Sequence, residues 1–188
     1  MELTKAILSR RTHRKFNGKK VNRCDLVKLV EYARFAPMGA NIQPLKYVII
    51  DDELLVSKVF PLTKWSGYEP HQSPTDEQKP TAYIAILGDT ALKADGKFDI
   101  DAGAAGTIIC LAAEDMGVSS CWLGSIDREN ISSLINLDNQ YKLLYLIALG
   151  YSDQVARSVD VKDSIKYYTD KDGILNVPKR TLDEILIG

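Results

Sequence analysis

Hydrophobic residues along this chain fall into short β-branched runs and into longer runs with helical spacing. Runs 47–51, 83–87 and 143–149 have the length and composition of buried strands, and 118–123 is a shorter run of the same kind. Helical spacing predicts three further helices. The first begins at the capping residue Asn22 and is stopped by Pro37, the second covers 53–60, and the third follows the capping residue Asp127. Strands and helices therefore alternate, and the pattern predicts a mixed fold.

The longest helical pattern covers 99–116 and is apolar on nearly every side. It is also rich in small residues, which are Ala102, Gly103, Ala104, Ala105 and Gly106. A helix that is apolar all round needs cover all round. It lies either at the centre of one subunit or also against a second subunit, where small residues would permit close approach.

Two further patterns concern turns and the end of the chain. Segment 61–80 contains four prolines and is predicted to be a long loop, which in a compact domain is usually functional or mobile. Segment 167–175 has the pattern of a hairpin with Asp172-Gly173 at its tip. Thr181 and Glu184 form a capping box, which predicts a short C-terminal helix.

Composition narrows the class of protein. The 188 residues are 45% hydrophobic and 26% charged with a net charge of -1, which predicts one globular domain over 1–188. No broad basic field exists for nucleic acid, so we expect no such partner. The most apolar stretch, 108–126, is interrupted by Glu114 and Asp115, so we expect no membrane span.

Cysteine and histidine usage points to a cytoplasmic protein without a metal site. The three cysteines lack C-x-x-C spacing, which favours buried free thiols in a reducing compartment; they are Cys24, Cys110 and Cys121. The two histidines, His13 and His71, lie far apart without paired acidic residues, which gives a metal centre little support. The first fifteen residues contain no apolar core of signal-peptide length.

Positive charge is concentrated near both ends of the chain. Residues 10–14 read Arg10-Arg11-Thr12-His13-Arg14, and Lys179-Arg180 precedes the C-terminal helix. Guanidinium forks, an ammonium and a hydroxyl all suit phosphate oxygens, so the clusters suggest a small dianionic ligand held between the two ends. The alternative is an ordinary solvated surface.

Two motifs resemble those of the nitroreductase family of FMN-dependent enzymes. The family's Arg-Arg-Ser-x-Arg-x-Phe run is similar to 10–16, with threonine in the serine position, and its Ala-Pro-Ser-x-x-Asn-x-Gln-Pro signature is similar to 36–44, with Met38 for serine. Later family motifs are resembled, in the same order, by segments 101–105, 117–118 with 122–124, and 177–180. One departure is Thr107-Ile108-Ile109 where the family often has a Gln-Asn pair.

The resemblance implies an α+β fold, with a mostly antiparallel central sheet of four or five strands flanked by helices, in a homodimer that holds FMN at its interface. It implies that the FMN phosphate and ribityl chain meet Arg10, Arg11, Thr12, Lys179 and Arg180. Arg14 would lie at the pyrimidine edge of the flavin, and the backbone of Leu123 and Gly124 near N5. The ring would be walled, usually from the partner subunit, by Pro37, Met38, Gly39 and Asn41.

The implied activity is ping-pong reduction of a nitroaromatic, quinone or related acceptor by NADH or NADPH, with no obligatory side-chain acid or base. Alternatives are a destructase or dehalogenase on the same scaffold, a non-catalytic flavin-storage protein, and a phosphate-binding module without flavin. Cys121 is expected to be a structural thiol, because no matched His and Asp accompany it. Trp65, Tyr68 and His71 either line a substrate pocket or pack on the surface.

Overall fold

Helices and strands alternate in the computed structural model, which describes residues 2–65, 68 and 73–188. The strands are β1 (Leu45–Ile50), β2 (Ala82–Asp89), β3 (Ser119–Leu123), β4 (Tyr141–Gly150), β5 (Ala156–Asp160), β6 (Tyr168–Thr169) and β7 (Leu175–Lys179). The helices are α1 (Leu3–Ser9), α2 (Arg23–Ala33), α3 (Glu53–Val59), α4 (Asp99–Asp115), α5 (Arg128–Leu134) and α6 (Leu182–Ile185).

A four-stranded sheet in the order β1-β2-β4-β3 forms the middle of the fold, and all its pairings are antiparallel. Ile84 of β2 lies opposite Ile49 of β1 and Ile147 of β4. Every residue of β2 is buried, because helices cover both faces of the sheet. The predicted α+β fold with a mostly antiparallel sheet is confirmed.

Two apolar cores lie on opposite faces of this sheet. One contains residues of α2 and α4, including Leu29 and Ile109, and the other contains residues of α3 and α5, including Val59 and Ile131. α4 packs on the sheet through small side chains, among them Ala102 and Ala105. The packing of α4 therefore depends on the small residues that the sequence concentrates there.

The cover of α4 is incomplete within the described residues. Ile100 is 87% exposed, Thr107 is exposed, and Ile108 and Leu111 are half-buried. The described residues therefore do not enclose this helix on all sides, which favours the second of the two alternatives that the sequence offered.

A second, three-stranded sheet in the order β5-β7-β6 carries the C-terminal part of the chain. β6 and β7 form the predicted hairpin, with Gly173 at φ 78° in its turn, whereas β5 pairs with β7 in parallel. The sequence pattern missed β5, which reads Ala-Arg-Ser-Val-Asp and has little apolar content. It pairs in parallel with β7 although β6 intervenes along the chain, so no local turn indicates the pairing.

Some local expectations need correction. Cys24 is exposed at the start of α2, so the prediction of a buried thiol is wrong there, whereas Cys110 and Cys121 are buried. Asn22 precedes α2 without a side-chain capping bond, but Asp127 accepts from the Asn130 amide as predicted.

Part of the predicted 61–80 loop has defined structure: 3₁₀ turns occupy Phe60–Leu62 and Asp76–Gln78. His71 lies outside the described residues. Within the described ranges, we find no helix with the length and apolar character needed to cross a bilayer.

Candidate cofactor site

The 10–14 segment runs along the outer edge of the main sheet. β3 is an edge strand, and Thr12 forms a parallel bridge with Ser120 in it. The His13 amide donates to the Ser120 carbonyl at 3.0 Å. These backbone contacts fix the segment as an extension of the sheet, so its cationic side chains are carried by a rigid element.

Arg11 is buried although its side chain is not fully paired. It is 7% exposed, and its two terminal nitrogens donate to the carbonyls of Leu8, at 2.8 Å, and of Arg10. Its Nε is buried without a hydrogen-bond partner among the described residues. A buried donor left unpaired is costly, so this position suits a ligand that brings an acceptor.

Lys179, the last residue of β7, comes from the other end of the chain and lies close enough to Arg11 and Arg10 to feel their charges. Partial burial lowers the pKa of Lys179, and the positive charges of Arg11 and Arg10 lower it further. Burial likewise lowers the pKa of Arg11. The positive charge of Arg10 lowers this pKa further, and the negative charge of Glu114 raises it. The fold thus brings together three cations that repel one another.

The remaining phosphate-site candidates are placed differently. Arg180 is exposed and pairs with Glu184 at 3.3 Å, within the predicted capping box of α6. Thr12 is half-buried beside β3. Arg10, Arg11 and Lys179 therefore form the cluster, while Arg180 adjoins it in sequence and holds a helix terminus.

Arg14 lies apart from that cluster, on a cleft of about 340 Å³. The other residues lining the cleft are Lys64, Trp65, Cys121, Trp122, Leu123, Gly124 and Ser125. Arg14 and the predicted Leu123 and Gly124 are thus brought to one surface. The cleft forms where the 10–14 segment follows β3 to its end.

The Arg14 side chain is held in one orientation. Its Nε donates to the Trp65 carbonyl at 2.7 Å, and its Cζ lies 4.6 Å from the centre of the Tyr167 ring. Trp65 is 9% exposed and packs near Phe16 and Phe60, with ring centres 6.3 and 5.8 Å away. Trp65 therefore both lines the cleft and belongs to the core beneath it.

Cys121 lies beneath the cleft as a protonated thiol. Burial raises the pKa of Cys121 to about 12, and nearby Arg14 opposes this only in part. A thiol with such a pKa is a poor nucleophile at neutral pH. The geometry agrees with a structural role.

A residue that the sequence did not single out supports the end of β3. Arg128 donates through one nitrogen to the carbonyls of Gly124, at 3.0 Å, and Leu144, at 2.9 Å. It fixes the course of the backbone at Gly124. Its spacing of four residues from Gly124 is too common to have revealed this contact.

Residues 37 to 43 form a loop, called the 37–43 loop, that does not line the Arg14 cleft. Its predicted flavin neighbours Pro37, Gly39 and Asn41 are exposed, and Met38 is half-buried against the core. None of the described residues that line the Arg14 cleft comes from this loop. A single subunit therefore does not unite the two halves of the predicted ring site.

A buried carboxylate anchors this loop, and sequence reasoning missed it. Asp101 is 2% exposed; it accepts from the Gly39 amide at 3.2 Å and from Lys93 Nζ at 2.9 Å. From the sequence, Asp101 was part of a helix start and nothing more. Only the packing of α4 against the loop shows what it contacts.

An apolar groove of about 450 Å³ opens between α1, α2 and α4. It is lined by Leu3, Ala6, Tyr32, Phe35, Ile108, Leu111, Ala112 and Asp115. Leu3 and Phe35 are each 68% exposed. The groove adjoins the incompletely covered side of α4, and an exposed apolar surface of this kind is typical of a protein interface.

Comparison with known proteins extends these findings. Residues 7–151 match the model of the family described as the nitroreductase family. A protein of Archaeoglobus fulgidus named "Putative NADH dehydrogenase/NAD(P)H nitroreductase" is 26% identical over 157 residues, which cover 80% of this chain and 85% of that protein.

Solved structures share the fold. The structure of a putative nitroreductase in complex with FMN from Desulfovibrio desulfuricans has a TM-score of 0.74 at 22% identity, covering 100% of this chain and 96% of the other. An FMN-dependent nitroreductase from Clostridium difficile has a TM-score of 0.68 at 21% identity, covering 85% and 92%.

Proposed function

Because this chain belongs to the nitroreductase family, we propose that it is an FMN-dependent oxidoreductase that uses NADH or NADPH to reduce a nitroaromatic, quinone or related acceptor. The observation that carries the proposal is the meeting of Arg10, Arg11 and Lys179 from opposite ends of the chain. Related structures described with FMN support the choice of cofactor.

The residues present fit a phosphate group. Arg11 has a buried Nε without a partner among the described residues, and the pKa values of Arg11 and Lys179 are lowered by burial and, to a smaller extent, by neighbouring cations. A dianion would accept from the unpaired donor and relieve the repulsion. In this proposal Arg10, Arg11, Thr12 and Lys179 hold the phosphate end of FMN, and Arg180 adds positive charge nearby.

Arg14 is proposed to act on the flavin ring. Its guanidinium lies on the cleft beside Leu123 and Gly124, held by the Trp65 carbonyl and the Tyr167 ring. A fixed cation stabilises negative charge that develops on the pyrimidine edge. When bound, FMN supplies the redox chemistry, accepting electrons from the nicotinamide and passing them to the acceptor. Arg14 binds, orients and tunes it.

The backbone at the end of β3 is proposed to present an N–H group to the ring. Gly124 is exposed on the cleft, and Arg128 holds its carbonyl at 3.0 Å. A rigid main-chain donor costs little reorganisation during the reaction. In this scheme no side chain acts as an obligatory acid or base.

We further propose a homodimer in which the 37–43 loop of one subunit walls the flavin held by the other. Two observations support that arrangement: none of the described residues that line the Arg14 cleft comes from this loop, and an apolar groove lies beside α4.

The free Cys24, Cys110 and Cys121 support a cytoplasmic location.

The first experiment is flavin uptake. Purified protein should show flavin absorption bands or acquire them when FMN is added. A protein that shows neither would overturn the proposal. If bound flavin stays oxidised during anaerobic mixing with both NADH and NADPH, the protein stores flavin instead.

Two substitutions then test the division of roles. Arg14→Ala should lower the flavin midpoint potential by roughly 30–60 mV, because it removes a charge-assisted contact to the ring. Lys179→Ala should weaken FMN binding about tenfold with little change in potential. Potentiometry and fluorescence titration measure both quantities, with Lys171→Ala, in the exposed turn before β7, as the charge-matched control. Equal effects of the two substitutions on potential would contradict the assignment.

A further inference from the structure

Asp101 is a buried carboxylate on a helix, α4, whose other buried residues are apolar. It lies in the first turn of α4 and is 2% exposed, yet it does not cap its own helix. Its two oxygens go outward from the helix, one to the Gly39 amide at 3.2 Å and one to Lys93 Nζ at 2.9 Å. The ion pair neutralises the charge, which leaves the other oxygen to hold the loop.

The loop that it holds has an unfavourable backbone. Ala40, Asn41 and Gln43 have φ values of 49°, 54° and 53°, in the left-handed region that side chains other than glycine seldom adopt. Such conformations persist only where surrounding contacts determine them, and they cluster at functional sites. The bond from Gly39 to Asp101 is a contact that ties this exposed turn to the core.

We propose that Asp101 is a positioning residue for the flavin site: it holds the 37–43 loop in its strained conformation, so that Gly39 and Asn41 present a preformed wall to the ring. This inference rests on the proposed function, in which that loop contacts FMN. Asp101 does not touch the flavin itself. Without it, the loop would have to order itself at the moment of binding, and that cost would weaken FMN affinity.

The test compares Asp101→Ala and Asp101→Asn with Asp89→Ala. Asp89 is the matched control because it is also a buried carboxylate, 3% exposed and near a lysine, Lys46. Among the described residues, its side chain accepts from Gln140 and from the Ala91 amide, and not from the 37–43 loop. We expect about tenfold weaker FMN binding for Asp101→Ala. Asparagine keeps an acceptor oxygen for Gly39 but directs its NH2 group at Lys93, so Asp101→Asn should lower the melting temperature while its FMN affinity stays within about threefold of wild type. Asp89→Ala should lower the melting temperature with FMN affinity unchanged.

Fluorescence titration gives the FMN dissociation constants, and the visible spectrum of the bound flavin reports its surroundings. Unchanged affinity in folded Asp101→Ala would overturn the inference, as would an equal loss in Asp89→Ala. If Asp101→Ala does not fold, hydrogen exchange of the Gly39 amide in the wild-type protein replaces it. Slow exchange without FMN supports a preformed loop, and exchange at the unprotected rate overturns it. If the wild-type protein does not take up FMN, the proposed function itself is overturned. That outcome is distinguished from failure of the Asp101 inference because it needs no variant.

Discussion

Gly106 shows how a single missing side chain decides the packing of α4 on the sheet. A Cβ at this position would collide with the Trp122 ring. Trp122 in turn meets Tyr145 edge-on, with ring centres 5.3 Å apart. The close approach of helix and strand therefore depends on glycine here, although glycine is a poor helix former.

Gly106→Ala is predicted to destabilise the fold by roughly 1–3 kcal/mol, because overpacking outweighs the helical preference of alanine. The free energy of unfolding from urea titration checks this. Gly103→Ala is the matched control on the same helix, since a Cβ there meets no atom within 4 Å among those described, and it should be neutral or slightly stabilising. Equal effects of the two substitutions would contradict the packing argument.

The candidate site was predictable residue by residue only in part. The motif in 10–16 indicated Arg10, Arg11 and Arg14, which flank Thr12, the residue that bridges to β3. That Arg11 is buried with an unpaired Nε, while Arg14 lies on a separate cleft, depends on contacts with distant segments. Asp101 and Arg128 escaped notice because the contacts that matter for the site are with main-chain groups, which leave no trace in residue type: the Gly39 amide for Asp101 and the Gly124 carbonyl for Arg128.

At the scale of elements, the β6–β7 hairpin is organised by one carboxylate. One oxygen of Asp170 accepts from the amides of Asp172 and Ile174, both at 3.0 Å. The other accepts from Asn176 Nδ2 at 2.9 Å and from Arg157 at 3.1 Å. This carboxylate connects the turn to β5 and β7, and so supports the strand that ends at the phosphate-site candidate Lys179.

The hairpin is predicted to weaken in acid. The bond from Asn176 is the largest cause that lowers the pKa of Asp170 below its ordinary 3.8, followed by that from the Ile174 amide. The folded protein therefore binds this proton less readily than the unfolded chain. The stabilisation is complete above about pH 5 and is lost as pH falls through the lowered pKa.

Asp170→Asn tests this dependence, because the amide would direct donors at Asn176 and Arg157. Its urea midpoint should lie below that of wild type at pH 6, and the gap should shrink at pH 3. Asp172→Asn, exposed at the tip of the same turn, should match wild type at both pH values. A gap that does not change with pH would contradict the assigned role.

At the scale of the whole molecule, the groove beside α4 is the surface that the proposed homodimer would bury. Phe35→Glu is predicted to weaken self-association at least about a hundredfold, because it would bury an unpaired charge. FMN affinity should fall with it, since the ring site needs the partner's 37–43 loop. Sedimentation velocity and FMN titration measure the two effects.

Leu54→Glu is the control for that experiment. Leu54 is 74% exposed on α3, on the opposite face of the sheet from α2 and α4. It should leave both association and FMN binding unchanged. A Phe35→Glu protein that remains a dimer, or a wild-type protein that is monomeric, would contradict the proposed interface.

Strand and helix identity, the antiparallel character of the sheet and the family were within reach of the sequence alone, because periodicity and short motifs are local properties. The sequence did not indicate the register of the strands or the position of β5, because these depend on which segments pair after folding. Burial of individual residues was the least accessible, as Cys24 shows.

What the sequence determined about the two cationic clusters is their chemistry: guanidinium, ammonium and hydroxyl groups suited to phosphate. Only the tertiary structure decided which of them meet. It brings Lys179 to Arg10 and Arg11, engages Arg180 with Glu184, and sets Arg14 on its own cleft. The physical reason is that charge and hydrogen-bonding capacity belong to a residue type, whereas desolvation and proximity are created by chain segments that pack from a distance.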